Sequence, residues 1–393
     1  MKKPAGHAGV RCLSMIQSVS PEELQNWDPS EYILIDIRDE ESFRQGSLPG
    51  AVHITREELE SGRAALPAGK KPVIFCMFGG MSLRTAEKLQ DGGLSVWHLS
   101  GGYGQWLVGQ LQQITDVEER RELIEKSLRK RFAKRITSRF VKAISDYELL
   151  SPGDRVAVCI SGGKDSMLMA KLFQELKRHN KFPFSLVFLC MDPGYLPQNR
   201  ELIEQNAKLL GIPVEFCETS IFDAVYTIEK SPCYLCARMR RGYLYRFAKE
   251  RGCNKIALGH HYDDVIETIL MGMLYSGQYQ GMMPKLRSTN FEGMELIRPM
   301  YLIREKDIIH WRDYNGLHFL QCACRFTEAL AQKADSDEPS ISKRLETKRL
   351  IASLAETIPQ VESNLFRATE NVVLNKVLGY KIHGEKHSFL EDY

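Results

Sequence analysis

The run Ser161-Gly162-Gly163-Lys164-Asp165-Ser166 directly follows the apolar stretch Val156-Ala157-Val158-Cys159-Ile160, and a helical pattern begins at Met167. A buried strand that turns through two glycines into a helix directs unpaired backbone N–H groups and the positive helix end at one point, which suits phosphate. A strand-turn-helix unit of this kind belongs in an α/β fold built on a parallel sheet. The loop therefore marks a nucleotide site, with ATP as the expected ligand.

The spacing differs from a Walker loop, which has four residues between its first glycine and its Gly-Lys pair. Here the glycines adjoin and an acid follows the lysine. SGGKDS instead resembles the pyrophosphatase (PP) loop of enzymes that split ATP into AMP and pyrophosphate. In this reading Gly162 and Gly163 admit the phosphates to the backbone, Lys164 offsets their charge, Asp165 holds Mg²⁺, and the Ser161 and Ser166 hydroxyls donate hydrogen bonds.

A chain of 393 residues exceeds one ordinary core, so several domains are expected. The boundaries read as an N-terminal segment 1–14, a first α/β domain 15–112, a basic helical linker 113–149, a nucleotide-binding domain 150–326 and a helical extension 327–393. Neither a signal-like apolar start nor a membrane-length segment is present, which points to a soluble cytoplasmic protein without membrane partners. The ten cysteines are scattered, and two form a Cys-x-x-Cys pair, which fits metal or sulfur chemistry better than a disulfide framework.

A net charge of +3 does not establish a nucleic-acid partner. Its distribution says more: Lys126, Arg129, Lys130, Arg131, Lys134, Arg135, Arg139 and Lys142 fall in a stretch without acids. Arg238, Arg240, Arg241 and Arg246 are interleaved with Tyr243, Tyr245 and Phe247. Such patches bind RNA by counterion release, or else are solvated helix faces.

In the first domain, Tyr32–Asp36 and Pro72–Phe75 read as buried strands, with helical starts after each. Cys76 ends the second strand and is followed by Met77-Phe78-Gly79-Gly80-Met81-Ser82. Converging N–H groups and a helix dipole there would favour thiolate or persulfide. Asp36-Ile37-Arg38, the Gly46-to-Ala51 turn, the loop from Cys76 and Leu99-Ser100-Gly101-Gly102-Tyr103-Gly104-Gln105-Trp106 resemble a rhodanese, or sulfurtransferase, domain. That likeness implies a catalytic Cys76. Methionine stands at 77 and 81, where many rhodaneses carry an arginine for an anionic donor, so a protein persulfide donor such as a cysteine desulfurase is the expected sulfur source.

In the second domain, further strands are expected at Asp154–Ile160, Phe184–Cys190, Pro213–Glu218 and Lys255–Gly259, with a helix over Asn199–Leu210. This is a doubly wound sheet with nucleotide bound beyond the carboxyl strand ends. Asp192 sits past one such end, as a ribose or base ligand or an exposed turn residue. Gly259, Asp263 and Asp264 sit at another, where the acids and Glu267 would complete a Mg²⁺ and pyrophosphate site, or merely cap a helix. Cys233 and Cys236 cannot fill a metal site alone, and Cys322 and Cys324 are the candidates for the missing ligands, unless the first pair are simply core cysteines of a helix. Three cysteines suit an iron–sulfur cluster with one open iron, and four suit Zn²⁺ or a closed cluster.

SGGKDS, Cys233-x-x-Cys236, Gly259-His260-His261-Tyr262-Asp263-Asp264, Gly281-Met282-Met283-Pro284-Lys285-Leu286 and Ile297-Arg298-Pro299-Met300 together resemble the tRNA 2-thiocytidine-forming enzymes, the TtcA family. The resemblance runs from about Glu125 to Cys324. It implies an adenine-nucleotide alpha hydrolase-like fold, ATP, tRNA, and a three-cysteine [4Fe-4S] cluster held by Cys233, Cys236 and Cys322, with Cys324 as the alternative third ligand. The later cysteines stand as Cys-x-Cys where the family has Cys-x-x-Cys, so the base modified stays open. Two other readings stand beside tRNA thiolation: a PP-loop sulfurtransferase for another nucleoside or small molecule, and a tRNA-binding or redox-sensing protein without catalysis. A second copy of the chain is a further candidate partner.

Overall fold

The computed structural model describes residues 16–64, 66–67, 69–113, 115–179, 182–219, 221, 232–320, 343–382 and 384–391, the side chains of 232–238 excepted. Two parallel sheets organise them. The first runs in the order β1-β5-β4-β2-β3, with β1 Gln17–Val19, β2 Tyr32–Asp36, β3 Val52–His53, β4 Lys71–Phe75 and β5 Trp97–Leu99. Every pairing in it is parallel, for example Tyr32 opposite Lys71 and Asp36 opposite Phe75. Short helices α1 Pro21–Leu24, α2 Glu40–Arg44 and α3 Arg56–Glu60 and longer ones α4 Gly80–Asp91 and α5 Gly102–Gln112 connect the strands.

The second sheet runs β10-β11-β9-β6-β7-β8, with β6 Arg155–Ile160, β7 Ser185–Asp192, β8 Val214–Glu218, β9 Lys255–Ala257, β10 Lys285–Arg287 and β11 Glu295–Ile297. Only the edge strand β10 is antiparallel. Val156, Ala157 and Val158 are fully buried because helices cover both faces, which is why β6 reads as an unbroken apolar run. The helices are α6 Val117–Arg129, α7 Ser138–Asp146, α8 Lys164–Arg178, α9 Pro197–Leu210, α10 Pro232–Glu250, α11 Tyr262–Ser276 and α12 Glu305–Tyr314. Helices α13 Lys343–Thr357 and α14 Val361–Ala368 follow, and α13 packs Ile351 against Val265, Ile266 and Ile269 of α11.

Two expectations change. The segment expected as a linker is part of the core: Ile124, Leu128, Phe132, Ile136 and Phe140 are at most 1% exposed, while its basic residues from Lys126 to Lys142 face solvent. The extension expected to be helical closes in a hairpin, β12 Gly379–Ile382 with β13 Glu385–Ser388, turned by Gly384 at φ +92°. No described helix is long and apolar enough to cross a membrane.

A single apolar cluster runs from Val19, Leu99 and Val108 through Ile124 and Leu128 to Val158 and Ile203, so the two sheets share a core. At its edge Gln112 donates to Glu201 at 3.1 Å and Trp106 meets His318 edge-on. The first domain thereby rests beside α9 and the segment that follows α12.

Candidate active site

Strand β6 delivers the chain to Ser161, and α8 begins at Lys164 with Gly163 as its N-cap. Gly162 adopts φ +84°, and a Cβ there would lie 2.5 Å from Ile203 Cγ1, so only glycine fits. The Ser166 hydroxyl accepts from the Ser161 N–H at 3.1 Å and donates to the Gly163 carbonyl at 3.0 Å, tying the loop across its mouth. A Cβ on Gly259 would lie 3.3 Å from the Asp165 carbonyl carbon, so the end of β9 packs tightly on the first turn of α8. The Leu320 N–H donates to the Gly162 carbonyl at 3.2 Å.

Beyond the strand ends lies a cleft of about 420 Å³ lined by Lys164, Asp165, His261, Asp264, Glu267, Glu305, Arg344, Lys348 and, from the first domain, Glu41. Lys164 Nζ is 3.2 Å from both Asp165 Oδ2 and Glu305 Oε1. Lys348 Nζ lies 2.9 Å from Glu305 and 3.2 Å from Glu41. Arg344 Nη1 lies 2.5 Å from Asp264 Oδ1 and 3.5 Å from Glu267. The His261 N–H donates to Asp264 Oδ2 at 3.0 Å.

These surroundings move the titrations. Burial raises the Glu305 carboxyl, but Lys164 and Lys348 outweigh it and hold it down at about 2. Burial lowers Lys164, yet Asp165 and Glu305 raise it on balance, so it stays a cation. Glu267 is pushed up to about 7, first by burial and then by Asp264, against the opposing pull of Arg344. Burial takes His260 down to about 4, leaving a neutral ring. Asp165 Oδ1, His260 Nδ1 and His261 Nδ1 are enclosed with no hydrogen-bond partner among the described residues. Enclosed polar atoms of this kind are costly unless a ligand or water completes them.

Cys76 directly follows strand β4 and is 1% exposed. Its Sγ receives the Ser82 N–H at 3.4 Å and lies 3.5 Å from Ser82 Oγ, which is 3.0 Å from His98 Nδ1. The expectation of several converging amides is corrected here: among the described residues the N–H that reaches Sγ is that of Ser82, and Cys76 belongs to the apolar cluster of Ile35, Ile37 and Ile74. Arg38 is locked on Asp36 at 2.6 Å and stacks on the Tyr103 ring at 4.5 Å. The Tyr103 N–H donates to the Cys76 carbonyl at 2.9 Å, and Tyr103 lines a small cavity of about 70 Å³ together with Gly163, Lys164 and Leu320. Tyr103, bonded to the cysteine loop through backbone, thus shares one cavity with the nucleotide loop.

Residues 20–108 match the rhodanese-like domain and residues 128–324 the PP-loop domain. The tRNA-cytidine(32) 2-sulfurtransferase of Syntrophotalea carbinolica is 37% identical over 235 residues, 59% of this chain and 86% of that protein. The protein of the same name from Vibrio vulnificus is 35% identical, covering 63% of this chain and 77% of its own length. This chain belongs to that family. Among solved structures, the U34-tRNA thiolase NcsA from Methanococcus maripaludis with its [4Fe-4S] cluster aligns at 21% identity and a TM-score of 0.47, over 63% of this chain and 81% of that one.

In this TtcA-family chain the structure brings together Ser161, Gly162, Gly163, Lys164, Asp165, Ser166, Gly259 and Asp264. It separates the adjacent acids. Asp263 turns away from the cleft, accepting from Arg304 Nη2 at 3.1 Å and from the Glu305 N–H at 2.6 Å, since neighbouring helical positions cannot face the same way. The Asp192 carboxylate is also engaged, accepting from the Gly194 and Tyr195 N–H groups at 2.9 and 2.7 Å and pairing with Arg200, which makes it a buried loop cap. Tyr245 stacks on Phe291 at 5.0 Å, and Arg246 covers Tyr243, so these rings pack instead of standing free.

The side chains of Cys233 and Cys236 and the whole of Cys322 and Cys324 lie outside the described residues. Among the described residues no group of three His, Cys, Asp or Glu side chains is arranged to hold a metal ion. Sequence reading missed Glu41, Glu305, Arg344 and Lys348. The signal available was the placement of Glu305 at the first turn of a helix following Ile297-Arg298-Pro299-Met300, and the charged face of α13.

Proposed function

We propose that the chain is an ATP-dependent tRNA 2-thiocytidine synthase. The carbonyl oxygen at C2 of a tRNA cytidine attacks the α-phosphorus of ATP, the bond to the β-phosphate oxygen breaks, and pyrophosphate leaves. A sulfur nucleophile then adds at C2 and AMP departs with the former carbonyl oxygen. Adenylation turns a poor leaving oxygen into a phosphate ester. The observation that carries the reading is the cleft itself, which Lys164 lines together with Asp165 and His261, whose Oδ1 and Nδ1 are enclosed with no hydrogen-bond partner among the described residues. Their relatives' shared name, tRNA-cytidine(32) 2-sulfurtransferase, supports the choice of substrate.

Lys164 and the α8 N-terminus would hold the departing pyrophosphate, where fixed donors act at no reorganisation cost. Asp165, Asp264 and Glu267 are oxygen donors of the kind Mg²⁺ prefers. Cys233 and Cys236 stand three residues apart in the first turn of α10, and Leu320, bonded to Gly162, lies two residues before Cys322. With Cys322 or Cys324 they would hold a [4Fe-4S] cluster, Zn²⁺ being the alternative. A bound cluster with an open iron supplies sulfide. Cys76 would accept the outer sulfur of a persulfide donor such as a cysteine desulfurase, whose thiolate leaves. A thiol reductant attacking the inner sulfur would then release the outer one as sulfide and leave a disulfide. The exposed face of Lys126, Arg129, Lys130, Arg131, Lys134, Arg135, Arg139 and Lys142 would take the tRNA backbone in the cytoplasm.

The test supplies anaerobically purified protein with ATP, Mg²⁺, sulfide and tRNA, and measures AMP release and 2-thiocytidine in digested tRNA. Both should require tRNA, and free cytidine should not replace it. Cys76→Ser should abolish supply from a protein persulfide while sparing free sulfide. Lack of AMP formation with every acceptor would overturn the reading.

A further inference from the structure

Helix α13 comes from the segment after the nucleotide domain, yet Arg344 and Lys348 reach into the cleft beside Lys164 from successive turns of one helix face. Five carboxylates of the cleft, on Glu41, Asp165, Asp264, Glu267 and Glu305, face three cations, on Lys164, Arg344 and Lys348. A triphosphate cannot enter such a set without exchanging partners. Mg²⁺ would draw carboxylates and leave the cations to the phosphates.

The ion pairs are not what docks α13. Ile351, 4% exposed, packs with Val265, Ile266 and Ile269, whereas the Arg344 and Lys348 side chains are 43% and 39% exposed, where pairs contribute little stability. Two long cations held on helical backbone, lining a cavity and ion-paired among the described residues with exchangeable carboxylates, are placed for a ligand. Lys348 also joins the domains, since Glu41 belongs to α2 of the first domain and Glu305 to α12 of the second.

We propose that Arg344 and Lys348 are phosphate ligands for the β- and γ-phosphates of ATP, and that phosphate binding takes Lys348 from Glu41. This rests on the reading of the cleft as an ATP site. Helix α13 thus completes the nucleotide site, and arrival of ATP removes one tether between the sulfur-carrying domain and the nucleotide domain.

The experiment measures equilibrium binding of a non-hydrolysable ATP analogue with Mg²⁺, and of AMP, to the full chain and to Arg344→Gln, Lys348→Gln, Lys348→Arg and Glu41→Gln. Loss of either cation should weaken the ATP analogue by about tenfold or more and leave AMP unchanged. Lys348→Arg should retain most of the affinity. Glu41→Gln, which removes one of the two carboxylates that hold Lys348, should tighten the analogue by about two- to threefold, as a weak exposed pair allows. Unchanged binding of the analogue in both Gln variants, or equal loss of AMP and analogue, would overturn the assignment. Failure of the unaltered chain to bind either nucleotide would instead sink the ATP reading beneath it, and this inference with it.

Discussion

The Leu320 N–H and the Gly162 carbonyl are hydrogen-bonded at 3.2 Å, which binds the segment leading to Cys322 directly to the turn of the nucleotide loop. That contact is made by backbone on both sides, so it is independent of either side chain.

The two glycines of that loop should respond differently to alanine. Gly162 has φ +84° and would drive its Cβ to 2.5 Å from Ile203 Cγ1, whereas the nearest atom to a Cβ at Gly163 is 3.5 Å away. Gly162→Ala should cost about 1–3 kcal/mol of stability and suppress AMP release. Gly163→Ala should melt close to the unaltered chain. Thermal melts of the two variants check this.

Cys76 Sγ accepts the Ser82 N–H and lies 3.5 Å from the Ser82 hydroxyl, which donates to the Gly79 carbonyl. Removing the hydroxyl in Ser82→Ala takes the side-chain hydrogen-bond partner from the sulfur and leaves His98 Nδ1 without that partner. A lost hydrogen bond of about 1 kcal/mol implies alkylation of Cys76 slowed roughly fivefold. Peptide mapping after timed iodoacetamide exposure gives the rate, and an unaltered rate would mean that Ser82 does not act on the sulfur.

Glu267 titrates at about 7, above the ordinary 4.5, because burial penalises its charge. A raised folded pKa means the folded chain holds this proton more tightly. Its contribution is fully present below the ordinary value and is lost as pH rises through about 7, up to roughly 3 kcal/mol in all. Without nucleotide, Glu267→Gln should therefore flatten the decline in thermal stability between pH 5 and pH 8. An identical slope in both proteins would contradict the assignment.

Lys171, 1% exposed, pairs with Glu125 at 2.7 Å, and Arg178 reaches the same carboxylate at 2.5 Å. Glu125→Ala leaves a buried ammonium unpaired and should cost about 3–5 kcal/mol. Denaturant unfolding measures it. A loss below about 1 kcal/mol would show that water reaches Lys171.

Local signals were legible without the fold. The apolar run before Ser161 and the glycines after it specify a strand, a turn with positive φ and a helix start, because those constraints act between adjacent residues. The same holds for Cys76 at the end of β4 and for the alternation that yields two parallel sheets. Neighbouring residues did not reveal which side chains share a partner. Asp263 and Asp264 adjoin in sequence, but the helical turn between them sends one to Arg304 and the other to Arg344. The 1% exposure of Cys76 depends on what packs over its loop.

The amino-acid order alone determined the two α/β domains, the phosphate-binding turn and the reactive types of residue at the strand ends, since backbone geometry follows from short-range sterics and patterning. Tertiary structure alone decided that Glu41, Lys164, Glu305 and Lys348, from four distant parts of the chain, form one line of alternating charge. Coulomb attraction needs proximity in space, and that proximity is set by the packing of α13 and of the first domain on the shared apolar core.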